Sequence, residues 1–103
     1  RNAVNLNQDN CIQCFDFDKI NDNILIRKRI DGDKIIPLGM KGTKKLKDIF
    51  IDMKIPKEER EHIPIFCFDE KIAWIIGIKI SEEYKVTKES KKILKVVVKR
   101  KEH

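Results

Sequence analysis

With 103 residues, the chain has room for one domain with a modest core. Its apolar content of 41% excludes intrinsic disorder, and its charged content of 39% is high for a globular domain. The net charge of +6 favours an anionic partner such as nucleic acid. The sequence contains neither a signal peptide nor an apolar run long enough to span a bilayer, so it predicts no membrane association.

Positive charge is concentrated in two blocks. Residues 34–57 carry 7 basic and 2 acidic side chains, and residues 84–103 carry 8 basic and 2 acidic ones. Between them, residues 58–83 carry 3 basic and 7 acidic side chains. If the two basic blocks met in the fold they would form one cationic patch. The alternative is that they lie on different faces of the domain.

The amino-terminal part predicts a tail followed by a strand. Residues 1–10 are polar and read as a tail or linker stub before a domain at residues 11–103. Because the chain does not begin with methionine, we expect it to be processed or to be a fragment of a larger protein. A first strand is predicted over residues 11–17, with Phe15 and Phe17 on the same face.

A second strand is predicted over residues 24–30. It places Arg27 and Arg29 on one face, so that the two guanidinium groups project together. The same pattern also fits an exposed edge strand protected by charge. The Asp-Gly-Asp sequence at residues 31–33 predicts a turn, and residues 34–38 predict a short strand limited by its proline.

The main helix follows a glycine-flanked loop at residues 39–42, with Thr43 as the predicted N-cap. Pro56 is expected to stop the helix, because the residue before a proline disfavours helical geometry. The helix is predicted from an apolar stripe at spacings of three and four residues, formed by Leu46, Ile49, Phe50 and Met53.

Lysines crowd the predicted start of this helix, at positions 44, 45 and 47. Helix amino termini are electropositive and favour anions, so each lysine there costs about 0.3–1 kcal/mol. A bound polyanion would relieve this conflict, because phosphate interacts well with both lysines and free N–H groups. The alternative is a solvated, lysine-rich helix face.

The remaining elements are a short helix and an apolar hairpin. The short helix is predicted at residues 56–62, and the hairpin joins residues 63–68 to residues 72–80. Both arms are almost continuously apolar, so both faces of the hairpin should be covered. Trp74 is expected in the core among aliphatic neighbours, and Gly77 suggests a bulge or a close backbone approach.

The carboxy-terminal part predicts a polar connection at residues 81–92 and a basic last strand at residues 93–101. Tyr84 is the one aromatic candidate for stacking on a base, although anchoring the loop suits it better. With so little aromatic surface, recognition of single strands by stacking is disfavoured. Structured RNA read through its backbone fits the cations better.

The sequence offers no convincing catalytic or metal site. Cys11 and Cys14 match C-x-x-C, but a zinc site would also need Cys67 and His62. We therefore predict no metal and read the cysteines as small apolar residues. No nucleophile has a base at a recognisable spacing, and the glycine loop lacks the Gly-Lys-Ser/Thr ending of an ATP-binding loop. The prediction is a binding domain without catalytic residues or cofactor of its own.

A resemblance to a known family is carried by residues 27–50. They read Arg-Lys-Arg-Ile-Asp-Gly-Asp-Lys-Ile-Ile-Pro-Leu-Gly-Met-Lys-Gly-Thr-Lys-Lys-Leu-Lys-Asp-Ile-Phe, and are followed by Ile55-Pro56, Arg60, Ile63-Pro64 and Trp74-Ile-Ile-Gly77. This pattern resembles the C-terminal domain of bacterial tRNA(Ile)-lysidine synthetase. The resemblance implies a small α+β domain with a β-sandwich-like core, one main helix and one short helix. It also implies similarity to a domain of the phenylalanyl-tRNA synthetase β subunit.

The resemblance implies a part of a cytoplasmic, ATP-dependent ligase. That family joins lysine to the wobble cytidine of isoleucine tRNA. ATP and Mg²⁺ would be bound by a catalytic domain absent from this chain, and the full enzyme would be a homodimer. This chain would bind the tRNA acceptor stem. The alternative is a protein docking or dimerisation module, with its apolar hairpin half exposed and its basic surface merely solubilising.

The matched motif nominates two groups of site residues. The candidates for RNA contact are the basic residues Arg27, Arg29, Lys34, Lys41, Lys44, Lys45, Lys47 and Arg60. The residues expected to shape the loop are Asp33, Pro37, Gly39 and Gly42.

Overall fold

The computed structural model describes residues 10–21 and 23–99. The strands are β1 (Asn10–Asp16), β2 (Ile24–Arg27), β3 (Lys34–Ile35), β4 (Lys44–Lys45), β5 (Ile65–Phe68), β6 (Lys71–Ile75), β7 (Lys79–Ile80) and β8 (Ile93–Lys99). The helices are α1 (Leu46–Asp52) and α2 (Lys57–Arg60). The predicted α+β class, with one main and one short helix, is confirmed. Residues 1–9 of the predicted tail lie outside the described part.

A central antiparallel sheet divides the core into two layers. Its strand order is β2-β5-β6-β7. Side chains alternate along β5, so Cys67 points to one face while Phe66 and Phe68 point to the other. The β1-β8 ribbon covers the aromatic face, and α1 with the β3-β4 ribbon covers the aliphatic face. This arrangement explains why both hairpin arms are apolar throughout.

The aromatic layer holds the sandwich together. Phe68 is fully buried and makes edge-to-face contacts at centroid distances of 5.1 Å to Phe15 and 5.0 Å to Tyr84. The Tyr84 hydroxyl donates to the Phe68 carbonyl at 3.3 Å, so its predicted role as a loop anchor is confirmed. Trp74 is 3% exposed, as predicted for a core residue.

The first strand ends one residue earlier than predicted. The carboxylate of Asp16 accepts from the Asp18 amide at 3.0 Å and starts a short 3₁₀ turn at residues 17–19. Phe17 lies in that turn and is exposed, so the prediction that it shares the buried face of Phe15 is wrong. The local side-chain cap overrode the alternation of the strand.

The second arm of the hairpin is also shorter than predicted. β6 ends at Ile75, and the chain turns at residues 76–78 before pairing again as β7. Gly77 has φ +83°, a conformation that suits glycine, so it makes a turn rather than a bulge. The β5–β6 turn uses Asp69 and Glu70 at φ +50° and +73°, which suits a tight two-residue hairpin.

The apolar stripe predicted for α1 is confirmed, but the predicted first and last residues of the helix are not. Leu46, Ile49 and Phe50 are buried in the aliphatic layer. Thr43 is not the N-cap, because Lys44 and Lys45 pair with β3 before the helix begins. Only the third lysine of the cluster lies in the first helical turn. Lys45 is the N-cap and its side chain makes no capping bond, so two lysines still lie at the helix start, with Asp48 as the acidic residue of the first turn.

α1 ends in a Schellman motif rather than at the proline. The Ile55 amide donates to the Phe50 carbonyl at 2.9 Å, and the Lys54 amide donates to the Ile51 carbonyl at 2.9 Å. Lys54 occupies the left-handed position of this motif, with φ +57°. A side chain at that position costs about 1–2 kcal/mol.

We expect Lys54→Gly to raise the free energy of unfolding by up to about 1 kcal/mol, because glycine adopts the left-handed conformation without steric cost. Chemical denaturation of the two proteins measures the difference. Lys47→Gly is the matched control within the same helix, where glycine should instead destabilise by about 1 kcal/mol. Destabilisation by both substitutions would contradict the assignment of the motif.

Candidate nucleic-acid interface

Asp33 ties the end of β2 to the start of α1. The Arg27 guanidinium donates to both carboxylate oxygens of Asp33, at 2.9 and 3.1 Å. The Ile30 amide donates to the same carboxylate at 2.8 Å. The Leu46 amide donates to the backbone carbonyl of Asp33 at 3.0 Å. One residue therefore fixes the turn at residues 31–33 against the first residue of the helix.

The electrostatics of this pair agree with its geometry. Burial acts to raise the pKa of Asp33, but hydrogen bonds from Arg27 and the Ile30 amide outweigh burial and hold that pKa below its ordinary value. The hydrogen bond to Asp33 raises the pKa of Arg27. Both groups stay charged at neutral pH. Arg27 therefore supports the fold through Asp33, and its contact with RNA stays a prediction.

Arg29 has a different environment from Arg27. Its guanidinium carbon lies 6.0 Å from the centre of the Phe50 ring, within the range of a cation–π contact. Its one ion pair joins Nη1 to Asp31 at 3.4 Å, and the Asp31 side chain is fully exposed. Its Nε is buried and has no hydrogen-bond partner among the described residues. The two arginines that the strand pattern grouped together therefore differ in their bonding.

A cleft of about 250 Å³ brings three cations together. Arg29 lines it from the segment after β2, which ends at Arg27 and not at the predicted residue 30, while Lys45 lines it from β4 and Lys47 from the first turn of α1. Asp31 and Asp33 also line the cleft, but Arg27 already neutralises Asp33. Both lysines are exposed and form no ion pair with another described residue. We define Arg29, Lys45 and Lys47 as the basic cleft.

The other candidate cations fall into two groups, those that contact an acceptor within the domain and those that are exposed to solvent. Lys44 pairs with Asp52, and the Arg60 Nε donates to the Ile55 carbonyl at 2.9 Å, where it supports the chain after α1. Lys34 and Lys41 are exposed, and neither forms an ion pair within the described ranges. The candidates for RNA contact therefore comprise residues engaged inside the domain and residues that face solvent.

The loop after β3 is anchored at two points. Pro37 forms an isolated bridge with Ser81, and the Gly39 amide donates to the Glu82 carboxylate at 2.8 Å. Gly39 has φ +84°, so this turn requires its glycine. Gly42 lies in open space without a positive φ. Sequence reasoning missed Glu82, because nothing in the sequence pairs it with a loop 43 residues away.

The β8 lysines of the second basic block lie on the opposite side of the central sheet from the basic cleft. Lys95 and Lys99 are exposed on β8, which belongs to the ribbon over the aromatic layer. The basic cleft lies beside the aliphatic layer. Lys85, from the same block, pairs with Glu82, whose carboxylate also accepts from the Gly39 amide, so this lysine lies near the loop of the first block. Among the described residues, the β8 lysines are therefore separate from the basic cleft, whereas Lys85 lies beside the first block.

An apolar edge is the feature that sequence reasoning missed. Within residues 10–21 and 23–99, β2 pairs only with β5 and forms one edge of the central sheet. Ile24, Leu25 and Ile26 are 52%, 50% and 56% exposed, so both faces of this strand carry uncovered aliphatic surface. The length of this run in the sequence was a signal, but only the strand order shows that it lies at an edge.

The cysteines and helices offer little further chemistry. Cys67 is buried and burial raises the pKa of its thiol, so it is a small apolar core residue as predicted. Cys14 is exposed on β1, contrary to the expectation of burial. Within the described residues, no group of three or more potential ligands is arranged to hold a metal ion. No helix there is both long and apolar enough to traverse a membrane.

Comparison with known proteins agrees with this fold. The family model described as the TilS substrate C-terminal domain matches residues 24–98. The chain belongs to this family. It is 58% identical over 96 residues to a tRNA(Ile)-lysidine synthase of Clostridium perfringens, and 54% identical over 93 residues to that of Clostridium tetani. Those matches cover 93% and 90% of the chain but 20% of each relative.

Two solved structures share the architecture. A crystal structure of a TilS C-terminal domain aligns with a TM-score of 0.74 and 31% identity, over 92% of this chain and 75% of that one. An N-terminal fragment of the phenylalanyl-tRNA synthetase β subunit from Pyrococcus horikoshii aligns with a TM-score of 0.68 and 26% identity, over 87% and 28%. Both fold similarities implied by the sequence are confirmed.

We expect Asp33→Asn to lower the free energy of unfolding at pH 7 by about 1.5–3 kcal/mol, because it removes the charge from a bidentate, half-buried contact. The folded pKa of Asp33 is depressed, so its contribution is complete above the ordinary carboxyl pKa of about 3.9 and is lost as pH falls through the folded pKa. Denaturation curves from pH 7 to pH 2 should therefore converge in acid. Asp31→Asn is the control and should change stability little, because Asp31 is fully exposed.

Proposed function

We propose that this chain is the tRNA-binding C-terminal domain of a tRNA(Ile)-lysidine synthase, and that the basic cleft holds the RNA backbone. The observation that carries the proposal is the meeting of three cations from separate elements around one cleft, with the nearest buried carboxylate already neutralised. Membership of the TilS C-terminal family supports the choice of RNA as the anion. Phosphate contacts supply affinity and position, and they are largely independent of base sequence.

The surface favours duplex RNA over single strands. Among the described residues, Phe17 is the exposed aromatic side chain, and it follows β1 on the ribbon side of the sheet. Stacking of unpaired bases needs accessible rings beside the cations. The basic cleft instead offers charged groups that contact a backbone across a groove. A base-paired tRNA stem matches this surface, and the family resemblance is what selects the acceptor stem among the stems.

The proposal extends to the longer protein. The chain spans about one fifth of the length of the curated relatives it matches, at 20% of each. Under the proposal, ATP, Mg²⁺ and lysine bind elsewhere in a cytoplasmic, homodimeric ligase that modifies the wobble cytidine. The role of this chain is to hold the tRNA body while chemistry occurs at the anticodon.

Reversing two charges at the basic cleft tests the proposal. We expect Lys45→Glu combined with Lys47→Glu to lower the affinity of this chain for isoleucine tRNA at least tenfold, because it replaces attraction to phosphate with repulsion. The slope of log K against log salt should become shallower by about 0.7–0.9 for each lost phosphate contact. Fluorescence anisotropy at several salt concentrations measures both quantities.

The matched control reverses the same charge on the opposite layer. Lys95→Glu combined with Lys99→Glu changes net charge equally but leaves the basic cleft intact. A small loss of tRNA affinity in this control, together with a large loss in the basic-cleft variant, would support the basic cleft as the RNA-binding face. Equal losses would mean that net charge alone governs binding, and the proposal would be wrong.

A second candidate function, polypeptide docking, is favoured by the apolar edge. The half-exposed hairpin that this alternative required is not observed, because the apolar residues of β5 and β6, including Trp74, are buried. β2 instead presents adjacent exposed aliphatic residues and an unshared backbone edge. Such an edge accepts an extended polypeptide as an added strand. We propose an extended segment of the same longer protein as the occupant, since covalent linkage raises its effective concentration.

Hydrogen exchange tests the docking candidate. We expect the outward-facing amides of β2 to exchange rapidly in this chain and slowly in the longer protein, because an added strand would bond them. Ile26→Lys should remove the added protection by placing charge on the edge. Equal exchange rates in both proteins would show that no strand occupies β2, and would leave RNA binding as the function.

A further inference from the structure

Arg29 carries the one buried side-chain nitrogen or oxygen that lacks a hydrogen-bond partner among the described residues. Its side chain is only 22% exposed, yet its Nε has no partner and its one ion pair is long at 3.4 Å. A buried N–H donor without an acceptor is unfavourable, and the penalty is larger on a charged group. Contact with the Phe50 ring compensates electrostatically but accepts no conventional hydrogen bond from Nε.

Arg27 provides an internal comparison two residues away. Its guanidinium makes two short bonds to Asp33 and a third to the Lys28 carbonyl at 3.0 Å. Arg29 lines the same cleft as Lys45 and Lys47 but faces an exposed carboxylate that solvent screens. The same side chain therefore has three bonded N–H donors at one position and spare donors at the other. Spare donors on a positioned guanidinium suit an acceptor group with two or more oxygens from outside the described residues.

We propose that Arg29 is the anchor of a phosphate-binding site in the basic cleft, with Lys45 and Lys47 as its flanking charges. This inference rests on the proposed function and deepens it. On binding, the phosphate replaces Asp31 as the partner of the guanidinium, and a small shift of the side chain gives Nε an acceptor. The Phe50 ring limits that shift and keeps the planar group oriented.

The chemistry of the group selects arginine at this site. A guanidinium presents paired, coplanar donors that match two oxygens of a phosphate, whereas an ammonium acts as a point charge. The long, exposed contact with Asp31 is easily exchanged. The two lysines have free ammonium groups and need no fixed geometry, so they tolerate substitution by another cation. Phosphate binding at this site therefore depends on the planar shape of the Arg29 guanidinium and on the positive charges of Lys45 and Lys47.

The test is Arg29→Lys, which keeps the positive charge and removes the paired, coplanar N–H donors of the guanidinium. We expect its affinity for isoleucine tRNA to fall about tenfold, while the salt slope stays close to that of the parent protein. Lys95→Arg and Lys99→Arg, conservative exchanges of cations on β8 outside the basic cleft, are the matched controls and should bind nearly as well as the parent. Anisotropy across a salt series gives affinity and slope for all four proteins.

A spectroscopic readout separates binding from structure. The Nε–H resonance of Arg29, assigned by its loss in Arg29→Lys, should shift on titration with inorganic phosphate and with tRNA. A merely structural arginine would show no such shift. The resonance of Arg27 is the control within the same protein, because its partners remain in place.

Each outcome decides between the two proposals. A shift with both phosphate sources, together with selective loss in Arg29→Lys, supports the anchor. Phosphate binding at Arg29 without any tRNA affinity supports the site but contradicts the proposed function. tRNA binding that Arg29→Lys leaves unchanged, with no shift of the Nε–H resonance, overturns the anchor and leaves the proposed function standing.

Discussion

The bond network of Asp33 is the constraint on which the basic end of the domain depends. Its carboxylate accepts hydrogen bonds from the Arg27 guanidinium and the Ile30 amide, and its backbone carbonyl accepts one from the Leu46 amide. These bonds join an edge strand, a glycine turn and the first residue of α1. Together with the pairing of β3 and β4, they fix the turn relative to the helix. This holds the cations after the turn beside one cleft.

Cations with the same formal charge have different roles in this structure. Arg27, Lys44 and Arg60 are bound to acceptors within the domain and support its shape. Lys45 and Lys47 face solvent beside the cleft. Net charge predicts attraction to a polyanion, but it does not tell which side chains remain available for contact. Which cations remain available depends on the acceptors that surround each one. This criterion reduces the candidate RNA-binding surface from all basic residues to the face that carries the basic cleft.

The two surfaces of the domain suit two different kinds of partner. The basic cleft lies beside the aliphatic layer and presents charge, while the β2 edge presents adjacent aliphatic side chains and an open backbone. β2 is four residues long and ends in Arg27, features that limit pairing at an exposed sheet edge. Its three aliphatic side chains are nevertheless about half exposed. Because the two surfaces are made by different residues, the two proposed functions are compatible.

The sequence by itself determined the class of fold, the apolar stripe of α1, the buried hairpin and the burial of Trp74. These features follow from periodicity and from continuous apolar runs, which depend on neighbours along the chain. It also carried the family resemblance through residues 27–50. The charge pattern indicated an anionic partner, but it grouped two arginines that the structure separates.

Only the tertiary structure decided which strands lie at edges, where the second basic block falls and which cations are already paired. Lys44 and Lys45 were predicted to be helical but form β4, because they pair with β3, about ten residues earlier in the chain. The partner of Gly39 lies 43 residues away, and the acceptors of Arg27 lie across a turn. Contacts of this kind depend on how distant segments pack, and the free energy of that packing outweighs local preference for any one residue.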